Sequence, residues 1–177
     1  MTRQANSAAI DRVKAILERR PEVGLHDDPP ATARWQGGTR VVSSHANGAQ
    51  MLTDLPSELG GSGDQVTPGW LFRAGVASCF ATSIALRAAG EGIELLEIEV
   101  MAVSRSDTRG ALGMKDAGGQ PVCAGPKNVE LRVRISAKDV APERLKTLVE
   151  ESHRCSPIPN AVENAVPVTL QIEIDAP

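Results

Sequence analysis

The sequence has few aromatic residues and little excess charge. It contains no tyrosine, and its aromatic side chains are two tryptophans and two phenylalanines, Trp35, Trp70, Phe72 and Phe80. Its net charge is -3 and its isoelectric point is about 5.6. Nucleic-acid binding normally requires a basic surface and aromatic side chains that stack on bases, so we expect no nucleic-acid partner.

The sequence also lacks the residue spacings of several common sites. It has three cysteines and no CxxC, which argues against both a disulfide framework and a structural zinc site. The three histidines, His26, His45 and His153, show no metal-binding spacing, and no nucleotide-binding or GxSxG motif occurs. We therefore expect no metal and no cofactor, so that any chemistry comes from individual thiols.

Neither the N-terminal segment nor the apolar stretches predict export or membrane insertion. Residues 1–20 carry charges throughout and lack the apolar core of a secretory signal. The least charged stretch, residues 74–86, has 13 residues. This is shorter than the roughly 20 residues that a spanning helix needs. We expect a cytoplasmic protein without a membrane partner.

The N-terminal region predicts an amphipathic helix followed by a linker. Four apolar residues form one face of a helix over residues 7–20, which ends before Pro21: Ile10, Val13, Ile16 and Leu17. Residues 22–31 show no periodicity and include Pro29 and Pro30. The sequence thus predicts an appendage over residues 1–30 and a main domain over residues 31–177.

The first half of the main domain predicts three short strands and one long helix. Short apolar runs over residues 32–54 are separated by Gly37-Gly38 and Asn47-Gly48, which predicts an antiparallel meander. Thr67 and Pro68 are typical of a helix start, and the helix should run to residue 89. Because this segment is almost free of charge, we expect the helix to be buried on most sides.

The second half predicts further strands around that helix. We expect strands over residues 94–104, 129–135 and 168–174, a mobile glycine-rich loop over 105–125, a helix over 142–154 and a turn or short helix near 160–164. This order predicts an α+β fold in which antiparallel sheet covers a central helix.

Individual thiols and one arginine are the candidate reactive residues. Cys79 lies inside the long helix, one turn after Gly75, which leaves space for a substrate; the alternative is a buried structural cysteine. Cys155 lies at a helix end beside His153 and Arg154, or is an incidental thiol there. Cys123 lies in the glycine-rich loop, and we expect an exposed thiol without a role.

Arg40 follows a turn and could place a guanidinium near a thiolate or an oxyanion. The alternative is a solvated arginine on a strand.

Several motifs, in this order and spacing, resemble the OsmC/Ohr family. They are Leu59-Gly60-Gly61, Thr67-Pro68, Leu71-Phe72, Ala74-Gly75, Ala77-Ser78-Cys79-Phe80, Gly92-Ile93 and His153-Arg154-Cys155-Ser156-Pro157-Ile158. The resemblance runs from about Ala31 to Ile174.

The resemblance implies an intertwined homodimer with a peroxidatic cysteine on the central helix, a position that Cys79 occupies. In members that reduce organic hydroperoxides, this thiolate becomes a sulfenic acid, condenses with a second cysteine directly before a late proline, and is regenerated by a dithiol such as a lipoylated protein. Arg40 is the nearest match to the arginine that holds the thiolate in such members.

The sequence departs from the family pattern at two positions. Gly69 follows Pro68 where the family usually has a glutamate that pairs with the arginine, and Ser156 stands where the second cysteine should precede Pro157. Cys155 is one residue early, and at a helix end such a shift rotates a side chain by about 100°.

The favoured hypothesis is an organic hydroperoxide reductase with Cys79 as nucleophile, Cys155 as resolving thiol, Arg40 as electrostatic partner and an apolar pocket formed by Trp70, Leu71 and Phe72. Two alternatives remain. One is a module that binds a small apolar ligand or thiol compound without efficient turnover. The other is a one-cysteine peroxidase whose sulfenic acid is reduced by an external thiol.

Overall fold

The computed structural model describes residues 3–175, and for residues 3–6 the backbone alone. Within this range, five strands form two antiparallel sheets: β1 (Thr32–Gly37), β2 (Arg40–Ser44) and β3 (Gln50–Thr53) in one, and β4 (Leu95–Arg105) and β5 (Asn128–Ala137) in the other. Its α-helices are α1 (Arg3–Arg19), α2 (Pro68–Gly90), α3 (Thr108–Ala111), α4 (Pro142–Arg154) and α5 (Pro157–Glu163). The predicted α+β class is confirmed.

The first sheet is the predicted meander. Gly37 and Gly38 have φ angles of 110° and 57° at the β1–β2 turn, where a side chain would be strained. At the β2–β3 turn the Asn47 side chain accepts the backbone N–H of Ala49 at 3.0 Å. Such local hydrogen bonds are the reason that asparagine favours turns.

Helix α2 begins where the sequence predicts. The Thr67 hydroxyl accepts the backbone N–H of Trp70 at 3.1 Å, and Pro68 occupies the first turn. Every fourth residue from Val76 to Ala88 is buried, and this stripe packs against Leu145 and Leu148 of α4 and against apolar residues of β4 and β5. The core of the chain therefore lies on one side of α2.

The prediction that α2 is buried on most sides is wrong for the single chain. Leu86, away from the buried stripe, is 58% exposed. Helix α2 packs mainly on α1, α4, α5 and β4, and part of the helix stays uncovered. By length and composition alone α2 could cross a membrane, but the core helix of a soluble protein passes the same test. Because α2 carries the core stripe, we interpret it as a core helix.

Two further predictions need correction. Residues 105–125 do not form one mobile loop: they include α3 and a bridge between Lys115 and Pro121, and a Cβ on Gly110 would lie 2.2 Å from the carbonyl oxygen of Cys123. This close approach of the two backbone segments explains why residue 110 is a glycine, which the sequence alone did not indicate. The short helix α5 begins at Pro157, earlier than the expected residue 160.

The predicted final strand, residues 168–174, is absent from the described single chain. Val168 is 93% exposed and Leu170 80% exposed. The alternation of apolar and polar residues is present, but a strand also needs a neighbouring strand to pair with, and within the described part of the chain residues 168–174 pair with neither sheet.

Helix α1 packs on the C-terminal end of α2, where Ile10 and Lys14 border Leu86 and Gly90.

The predicted division at residue 31 stays a prediction, and residues 1–2 and 176–177 lie outside the described range.

A buried aspartate fixes the loop that leads into α2. Asp54 is 2% exposed and its carboxylate accepts the hydroxyl and the backbone N–H of Ser62 at 2.6 and 3.1 Å. The Thr39 hydroxyl and the Leu55 N–H also donate to it. The hydrogen bond from the Ser62 hydroxyl, followed by that from Thr39, holds the pKa of Asp54 far below its ordinary value.

We predict that Asp54 makes folding sensitive to acid. Because the pKa of Asp54 is lowered in the folded chain, its contribution to stability is fully present above its ordinary pKa of 3.8 and is lost as the pH falls toward the folded value. Asp54→Asn should lower the urea midpoint at neutral pH and weaken the fall in stability between about pH 5 and pH 3. Asp28→Asn, in the exposed linker, is the control. An unchanged pH profile in Asp54→Asn would contradict this assignment.

Candidate functional site

One stripe of α2 faces the turn between α4 and α5. Its members are spaced four residues apart: Gly75, Cys79, Ser83 and Arg87. Cys79 contacts residues of the turn and of α5, whereas Arg87, two helical turns further on, contacts Glu151 and Cys155 of the α4 end. Since α4 runs antiparallel to α2 here, the last residues of α4 and the first of α5 follow one another along this stripe.

The sulfur of Cys79 lies against two polar groups. It is 3.5 Å from the Ser156 hydroxyl, and the backbone N–H of Ile158 donates to it at 3.4 Å. The cysteine is partly buried and is a free thiol. The site thus offers two hydrogen-bond donors to the sulfur of a partly buried cysteine.

An apolar cavity lies near this site, and its lining includes Gly75, one helical turn before Cys79, but not Cys79 itself. Its volume is about 450 Å³, and its walls include Val41 and Thr53 of the first sheet, Leu71, Phe72 and Gly75 of α2, and Ile158 of α5. Ile158 thus belongs both to the cavity lining and to the surroundings of Cys79, whose sulfur its backbone N–H contacts. The predicted contributions of Leu71 and Phe72 agree with this arrangement, whereas Trp70 is not part of this lining.

Gly75 leaves open space beside Cys79, as the sequence suggested. A Cβ built on Gly75 meets no atom within 4 Å, so the residue keeps the cavity open rather than permitting a close backbone contact. A larger side chain at this position would extend into the cavity.

Cys155 does not contact Cys79. Its sulfur accepts from Arg87 at 3.7 Å, and Arg87 also pairs with Glu151 at 3.1 Å and with Glu91 at 3.6 Å. Cys155 and Ser156 are neighbours at a helix end, where successive side chains point about 100° apart. The serine therefore faces Cys79, and the cysteine faces the next part of the stripe.

Arg40 is held by acidic residues in the described chain. Its Nη2 donates to both carboxylate oxygens of Asp64 at 2.7 and 2.8 Å, and its Nε donates to Asp54 at 3.2 Å. These bonds, that to Asp64 foremost, raise the pKa of Arg40. Val41 and Ser43 of the same strand line the cavity, so the alternation of side chains directs Arg40 to the opposite face. A single chain does not bring Arg40 to Cys79.

The other candidate residues lie apart from the sulfur of Cys79. Cys123 is exposed, and its backbone packs on Gly110. The His153 ring packs edge-on against Phe80 and pairs with Glu163 at 3.3 Å. In residues 3–175 the structure contains no cluster of three or more His, Cys, Asp or Glu residues that could hold a metal ion.

Sequence reasoning missed the roles of Ser156 and Ile158. Ser156 was recognisable as the residue in the place of a second cysteine, but nothing in the sequence indicated that its hydroxyl would contact Cys79. The backbone N–H of Ile158 carries no sequence signal at all.

Comparisons with known proteins agree with this arrangement. The sequence model of the family described as OsmC-like protein matches residues 61–171, more than half of the chain. The organic hydroperoxide resistance protein-like 2 of Staphylococcus saprophyticus is 25% identical over 149 residues, which cover 77% of this chain and 95% of that protein.

Solved structures share the fold. An OsmC-like protein of Vibrio cholerae has a TM-score of 0.63 at 17% identity, over 78% of this chain and 95% of that one. An organic hydroperoxide resistance protein of Elizabethkingia anophelis has a TM-score of 0.57 at 24% identity, over 80% and 91% of the two chains. With a family match over more than half of its length and this shared fold, the chain belongs to the OsmC-like protein family.

Proposed function

We propose that the chain is a thiol-dependent peroxidase that reduces organic hydroperoxides, with Cys79 as the nucleophile. The observation that carries this proposal is the setting of the Cys79 sulfur, which accepts from Ile158 and contacts Ser156, while Ile158 and Gly75 line an apolar cavity. Two relatives named for organic hydroperoxide resistance support the same activity.

The oxidation step consumes the thiolate, the peroxide and one proton from solvent. The Cys79 sulfur attacks the terminal oxygen of ROOH, an S–O bond forms as the O–O bond breaks, and the alkoxide leaves and takes up a proton as ROH. Cys79 becomes a sulfenic acid, so the sulfur has been oxidised by two electrons and the peroxide reduced by two. A thiol must return those electrons, and a dithiol, including a lipoylated protein, has suitable chemistry.

The cavity supports an apolar substrate. Side chains of Val41, Leu71 and Phe72 line it, and alkyl or aryl groups gain free energy when such a surface removes them from water. Hydrogen peroxide has no apolar part and gains nothing from this lining. The preferred substrates are therefore alkyl or aryl hydroperoxides.

A homodimer would cover the apolar surface that the single chain leaves exposed. Leu86 of α2 and the apolar side chains of residues 166–174 are largely exposed, and a groove of about 820 Å³ runs between β5 and α4–α5. The residues 166–174 also need a sheet edge, which a second copy can provide. We assign the dimer to the cytoplasm, where free thiols persist.

One observation favours a second candidate function, a binding module without efficient turnover. In residues 3–175 of one chain no cation contacts Cys79, because Arg40 is held by Asp54 and Asp64. If no residue of a second copy brings a cation to Cys79, the thiolate lacks an electrostatic partner and turnover of hydroperoxide should be slow or absent. The function would then be binding of a small ligand in the apolar cavity.

The first prediction tests the nucleophile. Cys79→Ser should reduce consumption of cumene hydroperoxide, with dithiothreitol as reductant, to the rate without protein, because a serine hydroxyl without an adjacent base is not ionised near neutral pH. Cys123→Ser is the matched control and should keep the activity. Equal peroxide consumption by Cys79→Ser and the unmodified protein would exclude Cys79 as the nucleophile.

The second prediction tests the substrate class. Gly75→Leu should fill part of the cavity and lower kcat/KM for cumene hydroperoxide by about tenfold or more, with a smaller effect on hydrogen peroxide. Gly75→Ala is the matched control, and replacing a glycine inside a helix should stabilise the fold by about 0.5 to 1 kcal/mol. Equal losses with both peroxides would show that the cavity does not select the substrate.

The third prediction tests the assembly. Sedimentation equilibrium at micromolar concentration should give twice the chain mass of 18.7 kDa. Leu170→Asp should weaken this association, since a charge on the apolar face of the C-terminal segment must be desolvated when that face is buried. A monomeric mass for the unmodified chain would exclude the dimer.

A further inference from the structure

Ser156 has a buried hydroxyl that does not cap α5, the helix that this residue precedes. It is 0% exposed and occupies the N-cap position of α5, where serine usually accepts a backbone N–H. No such side-chain bond forms there. Among the described residues, the hydrogen-bond partner of this hydroxyl is instead the sulfur of Cys79, 3.5 Å away.

The contact places a hydroxyl where it can donate a hydrogen bond to a thiolate. A neutral thiol is a weak acceptor, whereas a thiolate accepts charge-assisted hydrogen bonds that are roughly twice as strong as neutral ones. The Ser156 hydroxyl and the Ile158 N–H can both donate to the same sulfur. Because both groups are fixed at the start of α5, they also fix the direction in which the sulfur projects.

The same hydroxyl excludes one way of completing the cycle. The side chain that contacts the Cys79 sulfur carries oxygen, so it cannot form a disulfide with it. The thiol next to Ser156 in the sequence, Cys155, is turned toward Arg87. A Cys79–Cys155 disulfide would therefore require the α4–α5 turn to rearrange and the Ser156 contact to break.

On the basis of the proposed peroxidase function, we infer that Ser156 is a catalytic residue that holds the Cys79 thiolate by its hydroxyl, and that the resulting sulfenic acid is reduced by a thiol from outside the chain. The sulfenic acid reacts with R′SH to give a mixed disulfide and water. A second R′SH releases R′SSR′ and restores the Cys79 thiol. The two thiols supply the two electrons that the hydroperoxide removed, and the turn keeps its structure throughout.

The experiment compares Ser156→Ala and Ser156→Cys with the unmodified protein after one equivalent of cumene hydroperoxide. In Ser156→Ala, cumene hydroperoxide should oxidise Cys79 about tenfold more slowly than in the unmodified protein, because a hydrogen bond to a charged sulfur is lost. Ser152→Ala is the matched control: Ser152 is equally buried, but its hydroxyl donates to the Leu148 carbonyl. It should react at the rate of the unmodified protein.

Ser156→Cys should give a different product. The introduced thiol lies beside the oxidised sulfur, so mass spectrometry should find a disulfide from this position to Cys79, with the loss of two hydrogens per chain. The unmodified protein should carry a trappable sulfenic acid and no link from Cys79 to Cys155. This variant tests the geometry even if Ser156→Ala fails to fold.

The outcomes separate this inference from the proposed function. If Cys79 stays unoxidised in the unmodified protein, the peroxidase function itself fails. If Cys79 is oxidised but Ser156→Ala reacts at the unmodified rate, the function stands and the role of Ser156 is overturned. If Cys155→Ser loses thiol-driven turnover, the function stands and reduction by a thiol from outside the chain is overturned.

Discussion

The packing of α2 on the rest of the chain determines where the reactive sulfur can lie. Burial of Val76, Phe80, Ile84 and Ala88 fixes the rotation of the helix about its axis. The neighbouring stripe, which includes Gly75 and Cys79, must then face the α4–α5 turn and the first sheet. The buried Asp54 secures the loop before Thr67, so the helix start is fixed as well. Core packing thus places Cys79 at the site, and the contacts with Ser156 and Ile158 then fix the direction of its sulfur.

Charge is distributed unusually around this site. Gly69 supplies no carboxylate at the beginning of α2, and Arg40 binds Asp54 and Asp64 on the face of the first sheet opposite the cavity. Within the described chain, the Cys79 sulfur depends on neutral donors, a hydroxyl and a backbone N–H. Neutral donors placed in a partly buried site stabilise negative charge without the desolvation cost of a buried cation.

Local sequence signals predicted local structure well. Thr67-Pro68 and Asn47-Gly48 act through bonds within a few residues, so the helix start and the hairpin followed directly. The position of Cys79 on the long helix could also be predicted. The exposed side of α2 and the unpaired C-terminal segment could not, because apolar patterns say that a face needs a partner and not whether the same chain provides it. The contact between Ser156 and Cys79 depends on the side-chain direction of one residue at a helix end, which no periodicity specifies.

The setting of Cys79, rather than the exposure of a thiol, should decide which cysteine reacts. The direct measurement is competition among the three thiols of the folded chain for a limiting amount of an alkyl hydroperoxide, followed by trapping of sulfenic acids and mass spectrometry of the peptides. Cys123 and Cys155 are the exposed thiols, whereas Cys79 is partly buried. This account predicts that the trapped sulfenic acid is found on Cys79. Preferential oxidation of Cys123 or Cys155 would contradict it.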